Sequence, residues 1–246
     1  MKILITICAI FLLGTSKLLA APVDNADSLK KQLLVTSDSL KAPIYTRLAA
    51  VYLGYNTITD SLTKVGWQDH ALYFTLQALH YYSRYNDTIG LRISFNTLAK
   101  VYHDQKKYSQ AKWFILQSNS LSRDKNDVPN IISSLLELAS IKTDIKDYDL
   151  ALGDLNEALK LSTDNHFART ESRVELGYAS LYTRLQDYPK AALALKRHNF
   201  IDDSIRRQDE AIMVAAINSW DSIQSKKKLY TTRPYKPNAT KSIVSL

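Results

Sequence analysis

Five histidines, at 70, 80, 103, 166 and 198, are the first residues to weigh, because imidazole both ligates metals and moves protons near neutral pH. No two of them form an HExxH or another close pair, so the spacing marks no metal site. The one cysteine, Cys8, excludes both a thiolate zinc centre and an intrachain disulfide. There are five glutamates and no signature around any serine, so neither a paired acid nor an activated nucleophile is marked. The six glycines (14, 54, 66, 90, 153, 177) never come closer than twelve residues, which rules out G-x-G-x-x-G and GxxxxGK[ST] phosphate loops. His103-Asp104 falls at a predicted helix end, where imidazole and carboxylate commonly serve the helix terminus. These residue types predict no catalytic, metal or cofactor site, and turn attention to what the chain could bind.

Charge narrows the partner. The formal charge is +8, yet Lys2 and Lys17 lie near the start, and Lys226, Lys227, Lys228, Arg233, Lys236 and Lys241 all follow the last acidic residue, Asp221. Residues 21–225 are therefore net neutral, without the cation cluster that nucleic-acid binding requires, and no nucleic-acid partner is expected. The segment 229–246, with Pro234 and Pro237 and no apolar period, reads as a disordered basic tail. Its chemistry allows a weak contact with an anionic surface, or none. At the other end, Met1-Lys2, an apolar run from Ile3 to Leu13 and then Leu18-Leu19-Ala20-Ala21 read as a secretory signal, residues 1–20. The alternative is an uncleaved anchor. Either reading places the body outside the cytoplasm, with the periplasm as the expected compartment.

The elements that carry any binding surface show as a ladder. Tyr108-Ser109-Gln110-Ala111, Tyr148-Asp149-Leu150-Ala151 and Tyr188-Pro189-Lys190-Ala191 recur every forty residues, and Ala71 extends the series backward. Upstream of each lies a second pattern: Leu98-Ala99-Lys100-Val101-Tyr102, Leu138-Ala139-Ser140-Ile141-Lys142 and Tyr178-Ala179-Ser180-Leu181-Tyr182. Leu48-Ala49-Ala50-Val51-Tyr52 is the first copy, displaced by about ten extra residues around Leu53–Leu62. Within a copy, Ile93–His103 and Ser109–Ser122 each place apolar residues on one helical stripe, and Asp104–Lys107 is a short polar turn. Each copy thus predicts an antiparallel helical hairpin whose alanines mark the closest approach. Pro43, Pro129 and Pro189 fall at predicted helix starts, where the missing N–H costs nothing.

Leu-Ala-x-x-Tyr followed by Tyr-x-x-Ala and an aliphatic residue four on resembles the tetratricopeptide repeat (TPR) over residues 42–200. The usual glycine position holds alanine in every copy, and the usual tryptophan position holds Phe95, Leu135 or Glu175. The resemblance implies an all-α, right-handed superhelical solenoid of four hairpins. A capping helix at 21–41, with its helical part at 26–40, covers one end, and an exit helix at 201–228 covers the other. The forty-residue unit, with Asp27-Ser28-Leu29 before it and Ile201-Asp202-Asp203-Ser204-Ile205 after it, is similar to periplasmic sensor regions of Gram-negative two-component regulators. Their kinase or DNA-binding activity is not expected here.

In such a solenoid the first helix of each pair lines a concave face that takes a protein or peptide. Carrying the repeat frame across places Arg47, Asn96, Lys100, His103, Glu137, Ser140, Arg173, Ser180 and Arg184 there. The family's Lys-then-Asn peptide clamp is not implied, because Asn96 and Lys100 stand in the reverse order. A second mode of action is self-association through 201–228, whose Ile212, Ala216, Ile217, Trp220 and Ile223 give it an apolar side. Finally, six Asp-[Ser/Thr]-aliphatic triplets, starting at Asp27, Asp38, Asp60, Asp87, Asp203 and Asp221, resemble an O-glycosylation acceptor motif of some bacteria. Most fall near predicted helix ends, and helix N-capping is the favoured reading of them.

Overall fold

A computed structural model describes residues 25–231, and every regular element among them is helical. The elements are α1 (Ala26–Val35), α2 (Lys41–Tyr52), α3 (Ser61–Arg84), α4 (Thr88–Asp104), α5 (Tyr108–Asp124), α6 (Val128–Asp144), α7 (Tyr148–Asp164), α8 (Ala168–Arg184) and α9 (Tyr188–Thr231). Short 3₁₀ turns at Asp38–Leu40 and Leu53–Thr57 flank α2. Each helix packs on the next, and α6 also packs on α8, so α2/α3, α4/α5, α6/α7 and α8/α9 are stacked antiparallel hairpins. The expected leader, 1–20, and the tail from residue 232 lie outside the described residues.

The forty-residue period has a local cause. From α4 to α8 each helix is 17 residues long and is followed by a three-residue link. Asn86, Lys106, Asn126, Lys146, His166 and Gln186 hold φ between 52° and 67°, one every twenty residues. At each, the next N–H reaches back to the carbonyl of the last turn, as in Lys107 to Tyr102 at 2.8 Å and Asp187 to Tyr182 at 2.9 Å. This is the Schellman closure, built without glycine. The following residue then starts the next helix. Asp87 and Asp187 accept from the N–H of Gly90 and Lys190 at 2.9 and 3.2 Å, closing orphan donors at the new N-terminus.

The ladder alanines lie inside. Ala71, Ala99, Ala111 and Ala151 are fully enclosed, and Ala49, Ala139, Ala179 and Ala191 nearly so. Small side chains let paired helices approach, and Leu98, Ile115, Ile141, Leu155 and Leu181 fill the space beside them. Gly90 is required where α4 meets α3: a Cβ there would come within 2.2–2.4 Å of the Tyr82 ring atoms. The first hairpin replaces the aliphatic filling with rings. Tyr52 stacks on Phe74 at 5.5 Å and meets Trp67 edge-on at the same distance. Its longer link folds as the Leu53–Thr57 turn and buries Tyr55, whose hydroxyl donates to Asp104 at 2.6 Å.

Three expectations are corrected. The N-terminal helix does not run over 26–40. It stops at Val35, Thr36 is extended, and the Thr36 hydroxyl donates to the Gln32 carbonyl, competing with the backbone for that acceptor. Leu29 is its buried residue, while Leu34, Val35 and Leu40 are exposed. The exit helix does not begin at 201. Tyr188–Thr231 is one uninterrupted helix of 44 residues, ending three beyond 228, and residues 206–224 are all exposed, so this part covers no end of the stack. Most of the Asp-[Ser/Thr] triplets sit at helix starts, as expected for Asp27, Asp38, Asp60 and Asp87, but the capping reading fails for Asp203 and Asp221, which lie inside α9.

Candidate partner-binding groove

The first helices of the hairpins, α2, α4, α6 and α8, carry all nine expected groove residues, and the structure sorts those residues into distinct settings. A cleft of about 370 Å³ lies between α6 and α8. Ser140, Arg173 and Ser180 are on its rim, and Leu136, Leu155, Leu176 and Gly177 make an apolar floor. Gly177 lets Leu155 pack directly against the α8 backbone, since a Cβ there would come within 2.7 Å of Leu155 Cδ2. Arg173 is exposed and carries no ion pair among the described residues. An unpaired guanidinium beside an apolar hollow suits a carboxylate next to an apolar side chain.

His103, Glu137 and Arg184 meet in one network, closed by a residue the repeat frame did not nominate, Asp144. The His103 Nδ1–H donates to Glu137 at 3.2 Å and its Nε2–H to Asp144 at 2.8 Å. The Arg184 guanidinium approaches the other Asp144 oxygen at 3.4 Å. The hydrogen bond to Glu137, helped by that to Asp144 and opposed by burial, lifts the His103 pKa to about 9. His103 is therefore an imidazolium at neutral pH. Two cations and two carboxylates neutralise one another and lock α4, α6 and α8 together. This is a structural clasp, and its cations are already engaged.

Lys100 is exposed on α4 and joins no ion pair among the described residues. Asn96 is half-buried on α4, with its Oδ1 enclosed and no hydrogen-bond donor to it. Arg47 is exposed on α2, outside both the cleft and the clasp. Asp144 was findable, because 104, 144 and 184 are one position of successive repeats and hold Asp, Asp and Arg. The hydrophobic floor was not, since Leu136 and Leu176 read equally well as core.

Two further polar clusters are structural. Lys142 of α6 meets Asp154 of α7 at 2.6 Å, both largely buried, and burial holds the Asp154 carboxyl above its usual range despite that lysine. Ser172, His198 and Asp202 converge between α8 and α9, with the Ser172 hydroxyl on the Asp202 carboxylate and 2.7 Å from His198 Nδ1. His198 Nε2 lies 3.7 Å from the Asp202 carboxylate, so the three side chains touch one another, and Ser172 is 1% exposed. The cluster clamps α9 to α8.

No protein-family model and no curated protein matches the chain. Solved structures do. BtubC (BKLC) from P. vanneervenii aligns over 89% of this chain and 76% of its own, at 18% identity and a TM-score of 0.58. TPR-like repeats of a Podosopora anserina protein described as a kinesin light chain align over 75% of this chain and 87% of theirs. They are 14% identical, with TM-scores of 0.58 and, for a point variant of the same repeats, 0.60. The chain has a TPR-like helical repeat fold.

Proposed function

We propose that this chain is a non-catalytic scaffold of the bacterial cell envelope that holds a protein or peptide partner on its concave face. The observation that carries the reading is the α6–α8 cleft, where Arg173, with no ion pair among the described residues, stands beside the apolar Leu136, Leu155 and Leu176. Lys100 on α4 supplies a second free cation on the same series of helices. The partner segment this suits is acidic with an apolar side chain beside the acid. Envelope location rests on the leader-like residues 1–20.

The clasp decides how the reading is tested. Reversing Arg184 would also strip a partner from Asp144, so it tests packing as much as binding. Lys100→Glu with Arg173→Glu removes the free cations and leaves the clasp whole. The probe is a panel of fluorescent acidic–apolar peptides read by polarisation, with neutral peptides of the same apolar content alongside. The expected result is binding of acidic members that falls at least about 10-fold in the double variant, at unchanged helicity. Binding indifferent to both substitutions, or no binding by any acidic peptide, overturns the groove reading.

A further inference from the structure

The last helix carries more apolar surface than its own hairpin uses. Ala191, Ala194, His198, Ile201 and Ile205 form the stripe of α9 that is buried or half-buried in the α8/α9 hairpin. At 3.6 residues per turn the same stripe continues through Asp209 to Met213, Ala216, Trp220 and Ile223. The clamp holds only the near part: Ser172 grips Asp202, and Arg169 grips Asp209 at 2.5 Å. Ile212 and Met213 border clefts at the start of α8, and past them α9 runs on clear of the stack. The projecting part, 214–231, is about 27 Å of helix.

Met213, Trp220 and Ile223 are each more than half exposed, as are Ile212, Val214 and Ile217 beside them. Six large apolar side chains within twelve residues exceed what a monomer ordinarily shows to water, and such patches mark interaction surfaces. From Ala211 to Ile223 the one charged residue is Asp221, which lies about 100° round the helix from Trp220 and off the stripe.

The order of sizes along the stripe selects the occupant. Met213, Ala216, Trp220 and Ile223 are spaced three, four and three, the rhythm of a two-helix seam. Laid against itself in reverse, the stripe sets Trp220 over Ala216 twice and Met213 against Ile223 twice, so large always meets small or medium. Laid parallel, it would stack Trp220 on Trp220 and leave Ala216 facing Ala216 across a gap. We propose that two copies of this chain pair antiparallel through the projecting part of α9, with Trp220 of each seated on Ala216 of the other. The contact is isologous and closes at two chains. It continues the stripe that α9 already presents within its own hairpin, and it requires no ligand in the concave groove.

The test uses the full chain carrying Cys8→Ser, which removes its one thiol. Sedimentation from about 1 to 100 μM should show the mass doubling, as a small helical interface of micromolar affinity requires. Ala216→Glu should hold the mass at that of one chain with unchanged helicity, because the position is exposed in the monomer. Direction is read by oxidation: a mixture of Met213→Cys and Ile223→Cys chains should yield mixed disulfide dimers at least about 10-fold over like-with-like dimers. A chain that stays monomeric at about 100 μM overturns the proposal. So does a dimer that survives Ala216→Glu, and so does a product dominated by like-with-like disulfides, which reports parallel pairing. Lys100→Glu/Arg173→Glu leaves this equilibrium unmoved, so the groove and the helix pair stand or fall separately.

Discussion

Raising the pH from 6.5 to 10 should release the His103 clasp, and the size of the loss follows from its pKa. Folding lifts that pKa from an ordinary 6.5 to about 9, so the folded chain keeps a proton that the unfolded chain gives up. The stabilisation is therefore fully present below about pH 6.5 and disappears as the pH passes through about 9. A rise of about 2.5 in pKa, at about 1.4 kcal/mol for each, sets an upper bound of about 3.5 kcal/mol. Water reaching Glu137 and Asp144, each about a third exposed, reduces this to roughly 1.5–2 kcal/mol. The assay is urea unfolding, followed by circular dichroism, of the native chain and His103→Asn at matched pH. Every other titration is common to both chains and cancels in the difference. The variant should be less stable by that amount at pH 6.5, and the gap should narrow steadily towards pH 10. A gap of constant size, or an imidazole seen by NMR to titrate near 6.5, would show that Glu137 and Asp144 do not hold a charged histidine.

Other expectations follow from single features. Gly90→Ala should destabilise by about 2 kcal/mol because the new methyl displaces the Tyr82 ring; in a Tyr82→Ala background it should instead stabilise slightly through helix propensity, so a double-mutant cycle in urea checks the cause. Lys106→Gly, Lys146→Gly and Gln186→Gly should each stabilise by up to about 1 kcal/mol, since an L-residue at positive φ gives way to one without strain, and together they should raise the thermal midpoint by several degrees. Asp154→Asn should lose about 3 kcal/mol in urea unfolding by leaving the Lys142 ammonium buried without its counter-ion, and Asp154→Asn with Lys142→Met should recover most of it.

The hairpins were legible because packing repeats. Alanine every forty residues, tyrosine three before it and a Leu-Ala pair twelve earlier are forced by helices that touch at the same point in each unit. The turns were legible only through the period: Lys106, Lys146 and Gln186 occupy left-handed positions where glycine is the usual signal, and nothing in lysine or glutamine announces one. The continuity of α9 was hidden for a chemical reason. Asp202-Asp203-Ser204 looks like a helix start, but Asp202 spends its carboxylate sideways on Ser172 of the neighbouring helix, a contact thirty residues away in sequence. The repeat frame places the nine groove residues on α2, α4, α6 and α8. It could not separate the engaged cations, His103 and Arg184, from the free ones, Lys100 and Arg173, because pairing depends on the particular acids that adjacent units bring alongside. The longer link of the first hairpin was equally opaque, since Tyr55 is buried by reaching Asp104, two helices onward.

A stack in which each unit touches only its neighbours distributes stability as a sum of local contacts, so the two ends are the places where something is left over. At the first end, α1 covers α2 with little more than Leu29 and then stops, because Thr36 diverts the backbone. At the far end α9 does the opposite, continuing for several turns after α8 has run out beneath it. A helix does not persist in water through propensity alone when its exposed face is rich in Ile, Val and Trp; such a face is stable when another surface meets it. The clamp at Ser172, Asp202, Arg169 and Asp209 fixes the direction in which that face leaves the body, and Arg173, which borders both the concave cleft and the clamp, sits at the junction. One rigid helix, α8, therefore positions both surfaces: its concave side offers the unpaired cation over the cleft, and its other side aims the projecting stripe. On the two proposals together, substitutions in α8 that spare Arg173 but loosen the Ser172 clamp should disturb pairing before they disturb the groove.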